Sequence, residues 1–324
     1  MKISFVEKLK SLRFIDKCFK YDRKRYVKYS RTSGSEGKDH LLGLISMNTH
    51  IVEKGLTMPQ MRQGFGQAVV LKLIEECRIW AASYDKVNPF YTKAVETVLE
   101  YNAIHLNAVF SFDEPFASEL ESFVKDNKEA AVSSQPKFKD ASEYFSQIEA
   151  SFPTFARSRH SLRHFGKDDI PVQLLIDSID LAQSAPSSCN RQTTRVHIVT
   201  DKEDIKNILS VQNGNRGFGH LINKLLIVSF FIPHYGPVKE RNLGYIDAGI
   251  FTMNLLYALH HNHIGACTLN WSGAPNDEEK LRSIIHIEDN ESVVLLIGCG
   301  SVPDHEFSVT ESARLKGKDI TTIH

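Results

Sequence analysis

Three residues in Arg159-His160-Ser161-Leu162-Arg163 have types and spacing suited to gripping an anion. On an extended backbone alternate side chains share a direction, so Arg159, Ser161 and Arg163 project together while His160 and Leu162 project oppositely. Two guanidinium forks around a hydroxyl match a phosphoryl group, because arginine presents paired N–H donors to paired oxygens. The nine-residue stretch 157–165 that contains them would also serve as a solvated basic loop, and the surrounding elements must decide between the two uses.

The chain has 324 residues, 42% hydrophobic and 24% charged, the composition of an ordinary globular protein long enough for two domains. Its five cysteines are Cys18, Cys77, Cys189, Cys267 and Cys299, with no Cys-x-x-Cys pair. That pattern points to free thiols and away from a zinc site, and no metal site is expected. With no long apolar run and no signal-peptide core, a cytoplasmic location is expected. Net charge is zero, yet residues 1–31 carry eleven Lys/Arg against three acids.

In that arm Ile3, Phe5, Val6, Leu9, Leu12, Ile15 and Phe19 recur at near-helical spacing, which describes a basic amphipathic helix. It can dock on the acidic remainder of the chain, lie on an anionic membrane surface, or bind an acidic partner, and internal docking is the commonest use of such a face. Nucleic acid is not expected, since no recognition motif accompanies the charge. A polar Gly/Ser loop spans 30–38. Helices are expected at 39–55 with Gly55 as C-cap, at 66–83, at 89–108 with Asn88 as cap and Pro89 at the first position, and near 116–131. His50, Glu53, Lys54 and Arg62 around the first inter-helix loop suit surface and capping roles better than a pocket. Residues 132–152 read as a linker, giving a mainly helical domain over 1–150 and a second domain over 151–324.

In the second half Asp168-Asp169-Ile170-Pro171 starts a helix that ends at Ala185-Pro186-Ser187-Ser188-Cys189-Asn190-Arg191-Gln192. Residues 196–199 read as a strand. Leu225–Ile232 is a continuous apolar run suited to a central buried strand. Asp247 opens an apolar helix closing near Gly265, and strands are expected at 266–273 and 293–300. His260, His261 and His263 at the helix end fit capping or surface roles.

The Arg-His-Ser-x-Arg-x-Phe segment, followed at one helix's distance by Ala-Pro-Ser-x-x-Asn-x-Gln and a strand, resembles the entry pattern of the FMN-dependent nitroreductase superfamily. The resemblance covers roughly residues 155–324. It implies an α+β fold, a mixed sheet flanked by helices, in a homodimer whose central helix lies in the interface. It implies FMN as cofactor and NADH or NADPH as electron donor. Carried over by residue, Arg159, Ser161 and Arg314 would hold the FMN phosphate and His160 would follow the ribityl chain. Arg163 would reach the pyrimidine edge, with Asn215 and Arg216 as further ring contacts. Ser187, Ser188 and Asn190 would come from the partner subunit's loop, and Ser272 and Gly273 would lie near N5. The reaction implied is a ping-pong transfer to a second small molecule, anionic if the basic arm reflects the substrate. A flavin-dependent oxidase or desaturase, and a non-catalytic scaffold, are the alternatives. Two departures stand out: Thr193-Thr194 follows Gln192 where Pro-Trp is frequent, and Ser312 stands where a lysine is common.

Overall fold

The computed structural model describes residues 5–30, 37–132 and 134–324. Most of the polar loop expected at 30–38, together with Ile3 and Ser133, lies outside them. The chain forms two compact units, one of Met1–Arg23 with Lys137–Phe307, the other of Lys24–Pro136 with Ser308–His324.

The second of these is helical. After α1 (Phe5–Tyr29) come α2 (Lys38–Leu56), α3 (Gln67–Ser83), α4 (Pro89–Asn107) and α5 (Phe116–Asp126). Leu73, Ile74, Trp80, Val98, Tyr101, Leu120 and Phe123 fill their shared core. Helix α4 starts as its sequence dictates: the Asn88 side chain accepts from the N–H of Phe90 at 3.0 Å, with Pro89 in the first turn. Gly55 is not the C-cap of α2, which runs on to Leu56 with Thr57 capping. A Cβ at Gly55 would lie 1.9 Å from the Phe65 ring, so close packing of that ring calls for glycine.

The first unit is α+β. Strands β1 (Lys137–Phe138), β2 (Thr194–Val199), β3 (Lys224–Phe231), β4 (Gly265–Asn270), β5 (Glu291–Gly300) and β6 (Phe307–Ser308) include a four-stranded sheet of order β2-β3-β5-β4. Its pairings are all antiparallel, in place of the mixed pairing expected. The apolar run became the interior strand β3, buried from Lys224 to Phe230. The helices are α6 (Ala141–Tyr144), α7 (Phe152–Ser158), α8 (Val172–Ala182), α9 (Lys202–Val211), α10 (Leu243–His261) and α11 (Pro275–Ile284). Leu175 and Ala182 of α8 and Ala248, Phe251, Leu255 and Leu259 of α10 pack on Leu226, Val228 and Ile297 of the sheet.

Three expectations change here. The segment read as a linker holds β1 and α6, and Tyr144 and Phe145 are buried, because its aromatic residues find a core to enter. Helix α10 begins one turn before Asp247, which is buried instead of capping. Among residues 8–29, helix α1 docks only through Ile15, Cys18 and Asp22, which are half-buried, while the others are exposed. Leu9, Leu12 and Phe19 of the apolar positions stay exposed, with Lys8 and Arg23 interspersed among them. Among the described residues no helix is long and apolar enough to cross a membrane.

Candidate functional site

Helix α7 ends at Ser158, and Arg159 leaves it with φ −73° and ψ 119°. The extended run therefore starts at Arg159, two residues later than expected. It is held at two points: the Leu162 N–H donates to the Ala266 carbonyl at 2.9 Å, and the Gly166 N–H to the Ser301 carbonyl at 2.8 Å. Leu162 is fully buried, with its side chain over Gly265, where a Cβ would come within 2.2 Å of it. Burying Leu162 turns its neighbours toward the other side of the segment.

Arg159 is half-buried, and its surroundings do not satisfy all of its donors. Its Nε is buried and has no hydrogen-bond partner among the described residues. Tyr144 and His260 are close enough to feel its charge. Burial, and then Arg159, push the His260 imidazole down to about 4, so it is neutral at pH 7. Burial pushes the Tyr144 phenol well above its ordinary value. The Tyr144 hydroxyl donates to the His160 carbonyl at 2.9 Å, and His260 Nε2 lies 3.0 Å from Ser158 Oγ. His260 Nδ1 is itself buried without a partner. His260 is thus a core residue packed on Tyr144, Phe145 and Phe155, not the capping or surface group expected, while His261 and His263 are exposed. An orphaned guanidinium N–H beside a neutral imidazole and a neutral phenol has donor capacity left over that an anionic oxygen could take up.

Farther along, Arg163 is buried, its guanidinium 5.9 Å from the centre of the Phe218 ring. The loop carrying Phe218 starts at Gln212, whose amide donates to the Asn270 carbonyl at 2.9 Å. Asn215 Nδ2 donates to the carbonyls of Leu209 (2.7 Å) and Gln212 (2.8 Å) and to Gln212 Oε1 (3.0 Å), so it braces its own turn. Arg216 is exposed. Asn270 in turn donates to Ser272 Oγ at 3.2 Å, and a Cβ at Gly273 would meet Asp277 at 2.9 Å. Gln212 therefore ties the Asn215 loop to the Ser272 loop at the end of β4. Gln212, Phe218 and Asn270 carry no pattern in the sequence that singles them out as site residues.

The Ser187–Gln192 loop is held elsewhere. Ser188 donates to Asp247 from both N–H (3.1 Å) and Oγ (2.9 Å), and Tyr235 donates to the same carboxylate at 3.0 Å. Arg191 grips Glu240 with two 2.8 Å bonds, which hold the Glu240 carboxyl below its usual range. Ser187 Oγ accepts from the Gln192 N–H at 3.0 Å. Between these anchors Cys189, Asn190 and Gln192 all sit at φ of 50° to 54°, and all three are exposed. Arg314 belongs to the helical unit, where it is exposed and donates to the Ser312 carbonyl.

Residues 156–215 match the model of the nitroreductase family. No curated protein matches the chain. Solved structures similar to it include a nitroreductase family protein from Streptococcus pneumoniae TIGR4, at 19% identity over 54% of this chain and 100% of that one, with a TM-score of 0.46. Another is an FMN-dependent nitroreductase from Clostridium difficile R20291, at 19% identity over 52% of this chain and 98% of that one, with a TM-score of 0.45. The family match takes in both the Arg159–Phe165 entry and the Ala185–Gln192 loop, so this part of the chain is similar to the nitroreductase family.

Proposed function

We propose that the protein is an FMN-dependent oxidoreductase that takes hydride from NADH or NADPH and reduces a second small molecule in a ping-pong cycle. The observation that carries this reading is the buried Arg159 Nε with no partner. Leaving such a donor unsatisfied costs about 1–3 kcal/mol, which a phosphate oxygen would recover. The residues present fit the cofactor. Arg159 and Ser161 would hold its phosphate, and His160 would follow the ribityl chain. Arg163 would hold negative charge at the pyrimidine edge, where low exposure strengthens its field. Asn215 and Arg216 would add ring contacts, and Ser272 and Gly273 would lie near N5.

When bound, FMN supplies the hydride chemistry, and the protein supplies grip, orientation and charge. The neutral His260 and Tyr144 keep competing charge away from Arg159.

A homodimer belongs to this reading. Helix α10 buries Phe251 and Leu255 on one side yet leaves Tyr245, Ile246, Ile250 and Met253 exposed, and α8 leaves Leu174, Ile176 and Leu181 exposed beside it. A helix apolar all round needs cover on both sides. Ser187, Ser188 and Asn190 would then meet the cofactor held by a second copy. The five free cysteines support a cytoplasmic location.

A visible absorption spectrum tests the proposal. The purified protein, loaded with FMN, should retain the flavin band through gel filtration and lose it on anaerobic mixing with NADPH or NADH. Retention without bleaching would favour the oxidase or desaturase. A protein that never retains flavin would be a scaffold.

A further inference from the structure

Helix α1 presents three stripes. Ile15, Cys18 and Asp22, spaced three and four apart, are its half-buried residues, and Asp22 is bound by Arg241 through two bonds of 2.7 and 2.8 Å. Beside them, Leu9, Leu12 and Phe19 are 41%, 49% and 55% exposed, with Lys8, Asp16 and Arg23 on the same side of the helix. Beyond those, Lys10, Arg13, Lys17, Lys20 and Lys24 follow at alternating spacings of three and four, all exposed, which places five cations along one side of the helix.

We infer that α1 seats the protein on the surface of a bilayer containing anionic lipid. A helix lying in the interface needs an apolar stripe to enter the acyl boundary and a flanking row of Lys/Arg to meet headgroups. Each cation near such a surface adds to the attraction, and lysine stems extend along the boundary while their ammonium groups stay wet. A second copy of the chain is the poorer occupant, because protein interfaces are depleted in lysine at their centres and four of these five cations are lysine. The Asp22–Arg241 pair fixes which way the helix faces, turning the apolar and basic stripes outward from the domain. The inference stands independently of the flavin reading.

Flotation of the full chain with vesicles tests it, using phosphatidylcholine alone or mixed with phosphatidylglycerol. The protein should float with the mixed vesicles at low salt and stay behind with phosphatidylcholine. High salt, or Lys17→Glu with Lys20→Glu, should reduce the bound fraction at least tenfold, and so should Leu12→Glu with Phe19→Glu. All four side chains are exposed, so the folded state should be unaltered by circular dichroism. Equal flotation with both vesicle types would overturn the inference, as would no flotation at all. A mass that halves in Leu12→Glu with Phe19→Glu by light scattering, without flotation of the parent, would overturn it in favour of a second copy.

Discussion

Ser188 gives both its N–H and its hydroxyl to Asp247, a residue 59 positions later whose carboxylate is buried. The loop beyond Ser188 places Cys189 and Asn190 in the left-handed region, a conformation that non-glycine residues adopt at a cost of about 1–2 kcal/mol each. Asp247 holds that conformation from beneath.

Asp247→Ala should therefore release the Ser187–Gln192 loop. Amide exchange at 188–192 is expected to accelerate, and flavin affinity to fall about tenfold, the equivalent of one lost charge-assisted contact. Asp247→Asn keeps an acceptor for Ser188 and should recover part of both. Exchange mass spectrometry and fluorescence titration with FMN read the two effects separately. Unchanged exchange in the alanine variant would refute the anchoring role.

Arg159→Ala removes a donor that has no partner in the protein, so the folded state should lose little or gain. Flavin affinity should drop by tenfold or more, since a hydrogen bond to a charged group contributes about 1.5–3 kcal/mol. Arg159→Lys should not restore it, because an ammonium lacks the fork geometry. Thermal melts of the flavin-free variants, beside titrations, check both halves.

His260 makes stability depend on pH. Its folded value is lowered to about 4 from 6.5, so the unfolded chain binds the extra proton first as pH falls. Stability should be fully present above pH 6.5 and decline between pH 6.5 and 4, by up to about 3 kcal/mol in all. Urea denaturation at pH 7 and pH 5 should show a smaller difference in His260→Gln than in the parent.

Gly55→Ala tests packing against propensity. Inside an exposed helix this change stabilises by about 1 kcal/mol. Here the new methyl would meet the Phe65 ring at 1.9 Å, so a loss of about 1–3 kcal/mol is expected. A urea midpoint that rises would show that the Phe65 ring yields.

Local patterns were legible because they report what a residue needs from its immediate surroundings. The apolar run 225–232 announced an interior strand and Asn88-Pro89 announced a helix start, while the Arg159–Arg163 alternation named the side chains of a proposed anion cradle. The sequence could say that these arginines share a side; it could not say what lies beneath them. Tyr144 came from a stretch read as linker and His260 from a cluster read as surface, yet both pack beside Arg159 and leave its Nε unsatisfied. Gln212 reaching Asn270, and Asp247 holding Ser188, join residues 58 and 59 positions apart. Such pairs follow from how strands and helices close on one another, and no periodicity within either segment encodes its partner. The sequence thus determined which side chains carry the charge and which segments run as strand or helix. The tertiary structure alone decided which of those charges would be buried without a counterpart, because desolvation depends on everything that packs around a group and not on its neighbours in the chain.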